Sequence, residues 1–243
     1  MWPKITTNYS PNFSLPKRAK LQIKFIILHY TGMKKESLAI KKLCNTTSKV
    51  STHYFIKKNG KILTMVPDLY VAWHAGKSSW KKLNSINKFS IGIEIQNSGH
   101  NHNYENFTFD QIKSLKGLLK NLIQTYKIDK RNILGHSDIA PYRKKDPGEK
   151  FPWKNLSKVK LAKWHNLREN FLKNFRLVGL PLKDKKIFTQ NIYKIGFVNK
   201  STNQRKFADK FLVKAFQRRF RQSLINGIID KECFIISKNL LKK

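Results

Sequence analysis

The chain has 243 residues and a mass of 28.6 kDa, which allows one or two domains of ordinary size. An apolar content of 40% and an aromatic content of 12% exclude a fully disordered chain, and two cysteines, Cys44 and Cys233, are too few for a disulfide framework or a thiolate zinc site. The net charge of +36 predicts attraction to anionic polymers, but 41 of the 50 cations are lysines spread along the whole chain, which does not favour sequence-specific nucleic-acid recognition.

The first part of the chain predicts an alternation of strands and helices. After an N-terminal arm over residues 1–20, the apolar run 23–28 has the pattern of a buried strand and ends directly before His29. Residues 37–44 then predict a short helix.

A hairpin and an alternating strand are predicted next. Asn59-Gly60 lies between two strand-like runs, 53–56 and 61–66, and this is the strongest local signal for a hairpin. The alternation over residues 90–96 puts three isoleucines on one face of a strand and Glu94 on the other face.

A long helix is predicted to begin at Thr108, because Gln111 three residues later completes a capping box and an apolar stripe follows at helical spacing. Residues 132–135 predict a short strand that leads to His136. The whole pattern predicts an α/β domain over residues 21–155, with a mixed β-sheet surrounded by helices.

The last third of the chain predicts helices alone. Residues 156–180 form a helical linker, and the charged run 183–186 marks the start of a C-terminal domain over residues 181–243. This domain is predicted to be a small three-helix unit, with helices over residues 187–197, 207–220 and 231–241.

Three polar residues fall at or just after predicted strand ends, namely His29, His136 and Asp146. Sites in α/β folds are built at strand ends and in the loops that follow them. Two imidazoles and one carboxylate make a three-ligand zinc set with the open fourth position that a catalytic zinc needs. Seven histidines in the chain also produce such triples by chance, so these residues alone leave hydrogen-bonded structural histidines as an alternative.

The residues around these positions carry a more specific pattern. Seven short blocks occur in one order: His29-Tyr30-Thr31, Val50–Tyr54, Ala72–Gly76, Ser90–Glu94, Gly135–Pro141, Arg143–Gly148 and Phe151–Trp153. Together they resemble the zinc-dependent N-acetylmuramoyl-L-alanine amidases of the amidase-2 family, which includes bacterial AmpD and AmiD enzymes and the peptidoglycan recognition proteins. The resemblance extends from about Ser10 to Trp153.

The resemblance implies one zinc ion per chain and hydrolysis of the amide bond between N-acetylmuramic acid, or its anhydro form, and L-alanine, for cell-wall turnover or recycling. It implies that the zinc ligands are His29, His136 and Asp146, the catalytic acid Glu94 and the transition-state-stabilising lysine Lys144. The chemistry requires such groups, because an amide needs an activated water, a proton carrier for its leaving amine and a cation for the oxyanion.

Four further residues are candidates for substrate binding. We expect Trp73 to stack on a sugar face and His74 to contact substrate or to support a metal ligand. Tyr54 is a candidate for a hydrogen bond near the metal, and Asn97 for a contact with the acetamido group.

The C-terminal segment has a second, shorter resemblance. The motif Val213–Phe220, followed by Gly227–Asp230, looks like part of a three-helix peptidoglycan-binding module, although the Asp-Gly turn typical of that module is absent. A purely structural cap on the catalytic domain is the alternative interpretation.

The expected partner is peptidoglycan or a muropeptide, and we expect a monomer that binds no specific nucleic acid. No apolar run approaches the roughly 18 residues of a membrane span. Because residues 1–20 lack the apolar core of a signal peptide, the chain as written is expected in the cytoplasm, or in the periplasm or envelope if a leader was removed. Two alternatives stay open: a non-catalytic peptidoglycan-recognition protein, and a nucleic-acid-binding protein that the charge alone suggests.

Overall fold

The computed structural model describes residues 5–198 and 208–242. The strands are β1 Ile5–Thr7, β2 Phe13–Ser14, β3 Phe25–Tyr30, β4 Tyr54–Ile56, β5 Ile62–Thr64, β6 Val71–Ala72, β7 Ser79–Trp80, β8 Leu83–Asn84, β9 Ser90–Ile95 and β10 Ile133–Gly135. The helices are α1 Glu36–Cys44, α2 Phe109–Tyr126, α3 His136–Ile139, α4 Trp153–Lys158, α5 Glu169–Lys173, α6 Leu182–Ile195, α7 Lys210–Phe220 and α8 Lys231–Leu241. Within the described residues, no helix is long and apolar enough to span a membrane.

The main sheet has six strands in the order β1-β5-β4-β9-β3-β10. Strands β4 and β5 form the predicted antiparallel hairpin. The other pairs, β4 with β9, β9 with β3 and β3 with β10, are parallel. The mixed sheet surrounded by helices is therefore confirmed. Parallel strands have their carboxyl ends at the same edge of a sheet, so the carboxyl ends of β9, β3 and β10 lie side by side.

Helices cover both faces of the sheet. Ile26 and Leu28 of β3 pack with α2 on one face, while Phe25 and Ile27 pack with α6, α7 and α8 on the other. A strand buried on both faces has to be apolar at nearly every position, which explains the continuous apolar run at 23–28. On the second face, α1 covers β4 and β5.

The predicted element boundaries agree with the structure for the capped helix and differ in the C-terminal part. Helix α2 begins after Thr108, whose side chain and that of Gln111 form the predicted capping box. Helix α6 begins at Leu182, five residues before the predicted start, because the charged run 183–186 forms its first turns instead of a boundary.

Two further predictions for the C-terminal part concern the start of α7 and the limits of the domain. Helix α7 begins at Lys210 after the N-cap Asp209, and Phe207, where the sequence predicted its start, lies outside the described residues, as do residues 1–4 of the arm. The predicted domain limits stay predictions, but the C-terminal helices share one hydrophobic cluster with the sheet.

Candidate metal centre and active site

The register of the parallel strands puts the predicted site residues in one row. His29 of β3 is paired with Glu94 of β9, so both side chains leave the sheet on the same face. Gly135 of β10 is paired with Leu28, so the next residue, His136, follows the strand end beside His29. Two strand pairings therefore bring together groups that are more than 40 residues apart in the chain.

The structure brings the three predicted ligands into contact. His29 Nδ1 lies 2.9 Å from His136 Nδ1, and each of these nitrogens lies 3.0 Å from Asp146 Oδ2. All three side chains are buried, and their ligand atoms form a group that is able to hold a metal ion. The backbone N–H of Ser137 donates to the carbonyl of Asp146 at 2.8 Å, which ties the two ligand segments together.

A chain of hydrogen bonds assigns the tautomer of His29. The Ser90 hydroxyl donates its one proton to the Ile86 carbonyl at 2.8 Å, so its oxygen accepts from His74 Nε2–H at 3.2 Å. His74 Nδ1 then carries a lone pair and accepts from His29 Nε2–H at 3.0 Å. This leaves a lone pair on His29 Nδ1, and that lone pair points at the other two ligands.

The remaining two ligands are assigned in the same way. His136 Nε2–H donates to the carbonyl of Ala75 at 3.1 Å, so a neutral ring has its lone pair on Nδ1. Burial, and secondly His136, lower the pKa of His29 to about 4, so His29 is neutral at pH 7. Asp146 Oδ2, which lies 3.0 Å from the Nδ1 atoms of both histidines, is the third ligand atom.

Three lone pairs that converge at about 3 Å repel one another unless a cation lies between them. The donor set is two imidazole nitrogens and one carboxylate oxygen, and a protein carbonyl or side chain fixes each imidazole from behind. The residues present therefore fit a bound metal ion.

Gly92 provides the space for the His74 ring. A Cβ atom at position 92 would lie 2.4 Å from that ring, a distance that forces the ring to move. We expect Gly92→Ala to break the His74–His29 hydrogen bond and to weaken binding of the metal ion about 10- to 100-fold, as loss of a partner behind a metal ligand typically does. Competition with a chelator measures this affinity. Gly179→Ala is the control, since a Cβ there meets nothing within 4 Å, and equal affinities for the two variants would contradict the prediction.

Glu94 lies in the same row, and its side chain leaves the sheet on the same face as that of His29. Its Oε2 atom is buried and unpaired among the described residues. Burial, and secondly the Asp146 carboxylate, raise the pKa of Glu94 well above its ordinary value, although Lys144 and Lys42 act in the opposite direction. A carboxylate with a raised pKa and a free oxygen is suited to accept and release a proton near neutral pH.

Glu94, His136 and Asp146 line a cavity of about 440 Å³ between α1 and the loop 143–146. Apart from Glu94 and Asp146, its charged lining residues are cations. These cations are Lys42, Arg143, Lys144 and Lys145. The lining also includes Trp73, His74, His100 and Asn101. The cavity is therefore suited to an anionic substrate.

The structure places two of the four predicted substrate-binding residues in this cavity. Trp73 lines it, with its indole N–H bound to Ser14 Oγ at 2.8 Å, and His74 lines it as the residue behind His29. Tyr54 and Asn97 are not in the lining. Tyr54 pairs with Ile93 rather than with Glu94, so it faces the opposite side of the sheet and packs in the core beside Asp68.

Asn97 holds the loop after β9 and does not line the cavity. Its side chain donates to the Glu105 carbonyl at 3.0 Å and accepts from the Gly99 N–H at 3.0 Å, which closes the loop after β9. The side chain is fully buried and therefore does not contact a substrate in this conformation.

Lys42, Arg143 and His100 are among the residues of the cavity wall that sequence analysis did not propose for the site. His100 sits in a polar loop, yet its Nε2–H donates to Glu149 Oε2 at 3.0 Å and its Nδ1 is hydrogen-bonded to Tyr30 Oη at 2.8 Å. Of these three residues, only Arg143 lies in one of the sequence blocks that carry the family resemblance, the block that also contains Lys144 and Asp146.

Comparison with known proteins identifies the same family. The amidase-2 family, described as N-acetylmuramoyl-L-alanine amidase, matches residues 19–149. The N-acetylmuramoyl-L-alanine amidase AmiD of Escherichia coli K12 is 35% identical over 237 residues, which covers 91% of this chain and 83% of AmiD.

Two solved structures are similar over nearly the whole chain. The structure of Escherichia coli AmiD with anhydro-N-acetylmuramic acid-L-Ala-D-γ-Glu-L-Lys has a TM-score of 0.78 and 32% identity, and the match covers 94% of this chain and 92% of AmiD. AmpDh3 of Pseudomonas aeruginosa has a TM-score of 0.79 and 30% identity, covering 95% of each chain. Because the family model matches more than half of the chain and AmiD is similar in sequence and in fold over most of its length, this chain belongs to the amidase-2 family of N-acetylmuramoyl-L-alanine amidases.

Proposed function

We propose that this chain is a zinc-dependent amidase that hydrolyses the bond between N-acetylmuramic acid, or its anhydro form, and L-alanine. The observation that carries the proposal is the row of His29, His136 and Glu94 at the strand ends, completed by Asp146, in a member of this family. A non-catalytic recognition protein does not require an unpaired, buried carboxylate such as Glu94 beside the metal set.

His29, His136 and Asp146 would hold the metal. Two imidazoles and one carboxylate suit zinc, whereas magnesium and calcium prefer oxygen ligands alone. When bound, zinc supplies a Lewis acid that polarises the amide carbonyl and makes water a better nucleophile near neutral pH.

Glu94 moves the proton. As a carboxylate it accepts a proton from the attacking water through its free oxygen, and as a carboxylic acid it gives this proton to the departing amine of L-alanine. Its raised pKa favours the first transfer, because a carboxylate with an ordinary glutamate pKa is a weak base at pH 7. The same residue thus serves both halves of the hydrolysis.

Lys144, which lines the cavity, is our candidate for the cation that stabilises the oxyanion. Its charge acts on both Glu94 and His29, so it lies close to the row of reacting groups. We expect Lys144→Met to lower kcat about 10²- to 10³-fold, the usual cost of losing one oxyanion donor, with little change in KM or zinc content. Steady-state kinetics and metal analysis test this. Lys145→Met is the control, and an equal loss in both variants would point to general electrostatics instead of a specific role for Lys144.

The cations of the cavity favour a substrate with carboxylates. The ligand in the AmiD complex is a muropeptide in which γ-linked glutamate leaves its α-carboxylate free. Lys42, Arg143 and Lys145 line the cavity of this chain and have the charge to attract such groups. We therefore propose a peptidoglycan stem peptide joined to muramic acid as the substrate.

Mass spectrometry of the reaction products tests the proposal and the form of the substrate. The purified protein with zinc is incubated separately with intact sacculi and with soluble anhydro-muropeptides. Release of peptides with a free L-alanine amine supports the amidase, and the substrate that reacts faster identifies wall turnover or muropeptide recycling as its process. Binding of both substrates without release would support a recognition protein instead.

A further inference from the structure

Arg219 links the C-terminal helices to the segment that carries His136. It comes from α7 and is 3% exposed, although a guanidinium usually reaches water. Its Nε lies 3.5 Å from Asp138 Oδ2, and its Nη2 donates to the carbonyl of Ile133 at 3.3 Å and of Lys163 at 3.2 Å. The guanidinium also stacks on the Trp153 ring, 3.3 Å from its centroid.

Two partners of Arg219, Asp138 and Ile133, belong to the segment that presents the ligand His136. Asp138 Oδ2 accepts from the Gly135 N–H at 2.8 Å and so closes the turn around His136. Gly135 is packed tightly on its other sides, since a Cβ there would lie 2.7 Å from Pro147 and 3.4 Å from Trp153. Pro147 directly follows the ligand Asp146, so the Asp146 segment packs against the same turn that Asp138 closes.

The ion pair makes this arrangement sensitive to Arg219. Asp138 is 1% exposed, and its Oδ1 has no hydrogen-bond partner among the described residues. Without the guanidinium, Asp138 would be a buried carboxylate with no cation in contact, which is strongly unfavourable. The side chain is then expected to leave the Gly135 N–H, and the turn around His136 loses its closing hydrogen bond.

From these contacts we infer that Arg219 is a positioning residue for the metal centre, so that the C-terminal helices help to shape the site that binds zinc. This role goes beyond the peptidoglycan binding that the sequence resemblance predicts for these helices. It rests on the proposed zinc site, because it concerns the position of one of its ligands.

Arg176 provides the control that separates positioning of the metal ligands from a general contribution to the stability of the C-terminal helices. Arg176 forms a two-bond ion pair with Glu232, with Nε and Nη2 each 2.8 Å from a carboxylate oxygen. Glu232 belongs to α8, and this pair does not touch the ligand segments. Arg176→Met therefore weakens the C-terminal part without changing the turn around His136.

The experiment compares full-length Arg219→Met, Arg176→Met and the double variant Arg219→Met/Asp138→Asn with the wild type. Zinc affinity is measured by chelator competition, and ligand geometry by the visible absorption spectrum of the cobalt-substituted proteins. We expect Arg219→Met to bind zinc about 10- to 100-fold more weakly with an altered cobalt spectrum, and Arg176→Met to behave as wild type.

The double variant tests the path through Asp138. Asparagine still accepts from the Gly135 N–H but carries no buried charge, so the double variant should bind zinc more tightly than Arg219→Met alone. It also serves if Arg219→Met does not fold. Wild-type affinity and spectrum in Arg219→Met, or equal weakening in Arg176→Met, would overturn the inference. A wild-type protein that binds no zinc would instead refute the proposed function.

Discussion

Replacing Glu94 with glutamine should lower kcat by roughly 10²- to 10⁴-fold, the range that general acid–base catalysis supplies. Glutamine has nearly the same shape but neither accepts a proton from water nor donates one to the leaving amine. KM and zinc content should change little, because Glu94 is not a ligand and its contribution arises in the transition state. Steady-state kinetics with metal analysis of the same preparation measures the effect.

The pH dependence gives Glu94→Gln a second readout. Burial raises the pKa of Glu94, so the acidic limb of the wild-type pH–rate profile is expected above the ordinary glutamate range and should vanish in the variant.

The same shift affects the stability of the fold. Because the pKa of Glu94 is higher in the folded state than in the unfolded state, the free energy of unfolding falls as pH rises through the folded-state pKa. Without added metal, the variant should therefore melt at a higher temperature than the wild type at pH 7 and at the same temperature below about pH 4.

Near-normal turnover in a zinc-loaded Glu94→Gln protein would contradict this assignment. Glu94 would then be an ordinary sheet residue, and another group would have to accept the proton. His74, which lines the cavity, would be the first candidate to examine, although its pKa is lowered well below the usual value by burial and secondly by His29.

Replacing His136 with alanine should remove both zinc and activity. Two protein ligands hold zinc poorly, so the ion is expected to dissociate on dialysis. Without it the carbonyl is not polarised, and the several kcal/mol that a Lewis acid supplies correspond to a loss in kcat/KM of at least about 10³-fold. Metal analysis and kinetics measure the two effects in one sample.

The control for His136→Ala is His102→Ala, because His102 is exposed in a loop and takes no part in the row of ligands. That variant should keep its zinc and its turnover. Treatment of the wild type with a chelator should reproduce the loss seen in His136→Ala, and added zinc should restore the wild type but not the variant. Full zinc content in His136→Ala would show that the ligand assignment is wrong.

Much of the fold and of the site could be predicted from local sequence patterns. Asn59-Gly60 requires a tight turn and produces the β4–β5 hairpin, and Thr108 with Gln111 caps α2. These signals act within a few residues, so tertiary structure does not override them. The ordered blocks around His29, Glu94 and Lys144 identified the family, because several short patterns in one order rarely arise by chance.

Tertiary structure decided what depends on register and on long-range packing. Tyr54 and Glu94 lie on neighbouring strands, but only the pairing of Tyr54 with Ile93 shows that Tyr54 faces the other side of the sheet. The role of His74 depends on the His29–His74–Ser90 hydrogen bonds, which join three separate segments. The contact of Arg219 with Asp138 spans 81 residues of sequence and has no local signal. In each case the deciding contact lies between residues far apart in the chain, and its geometry is determined only when the strands pair and the helices pack.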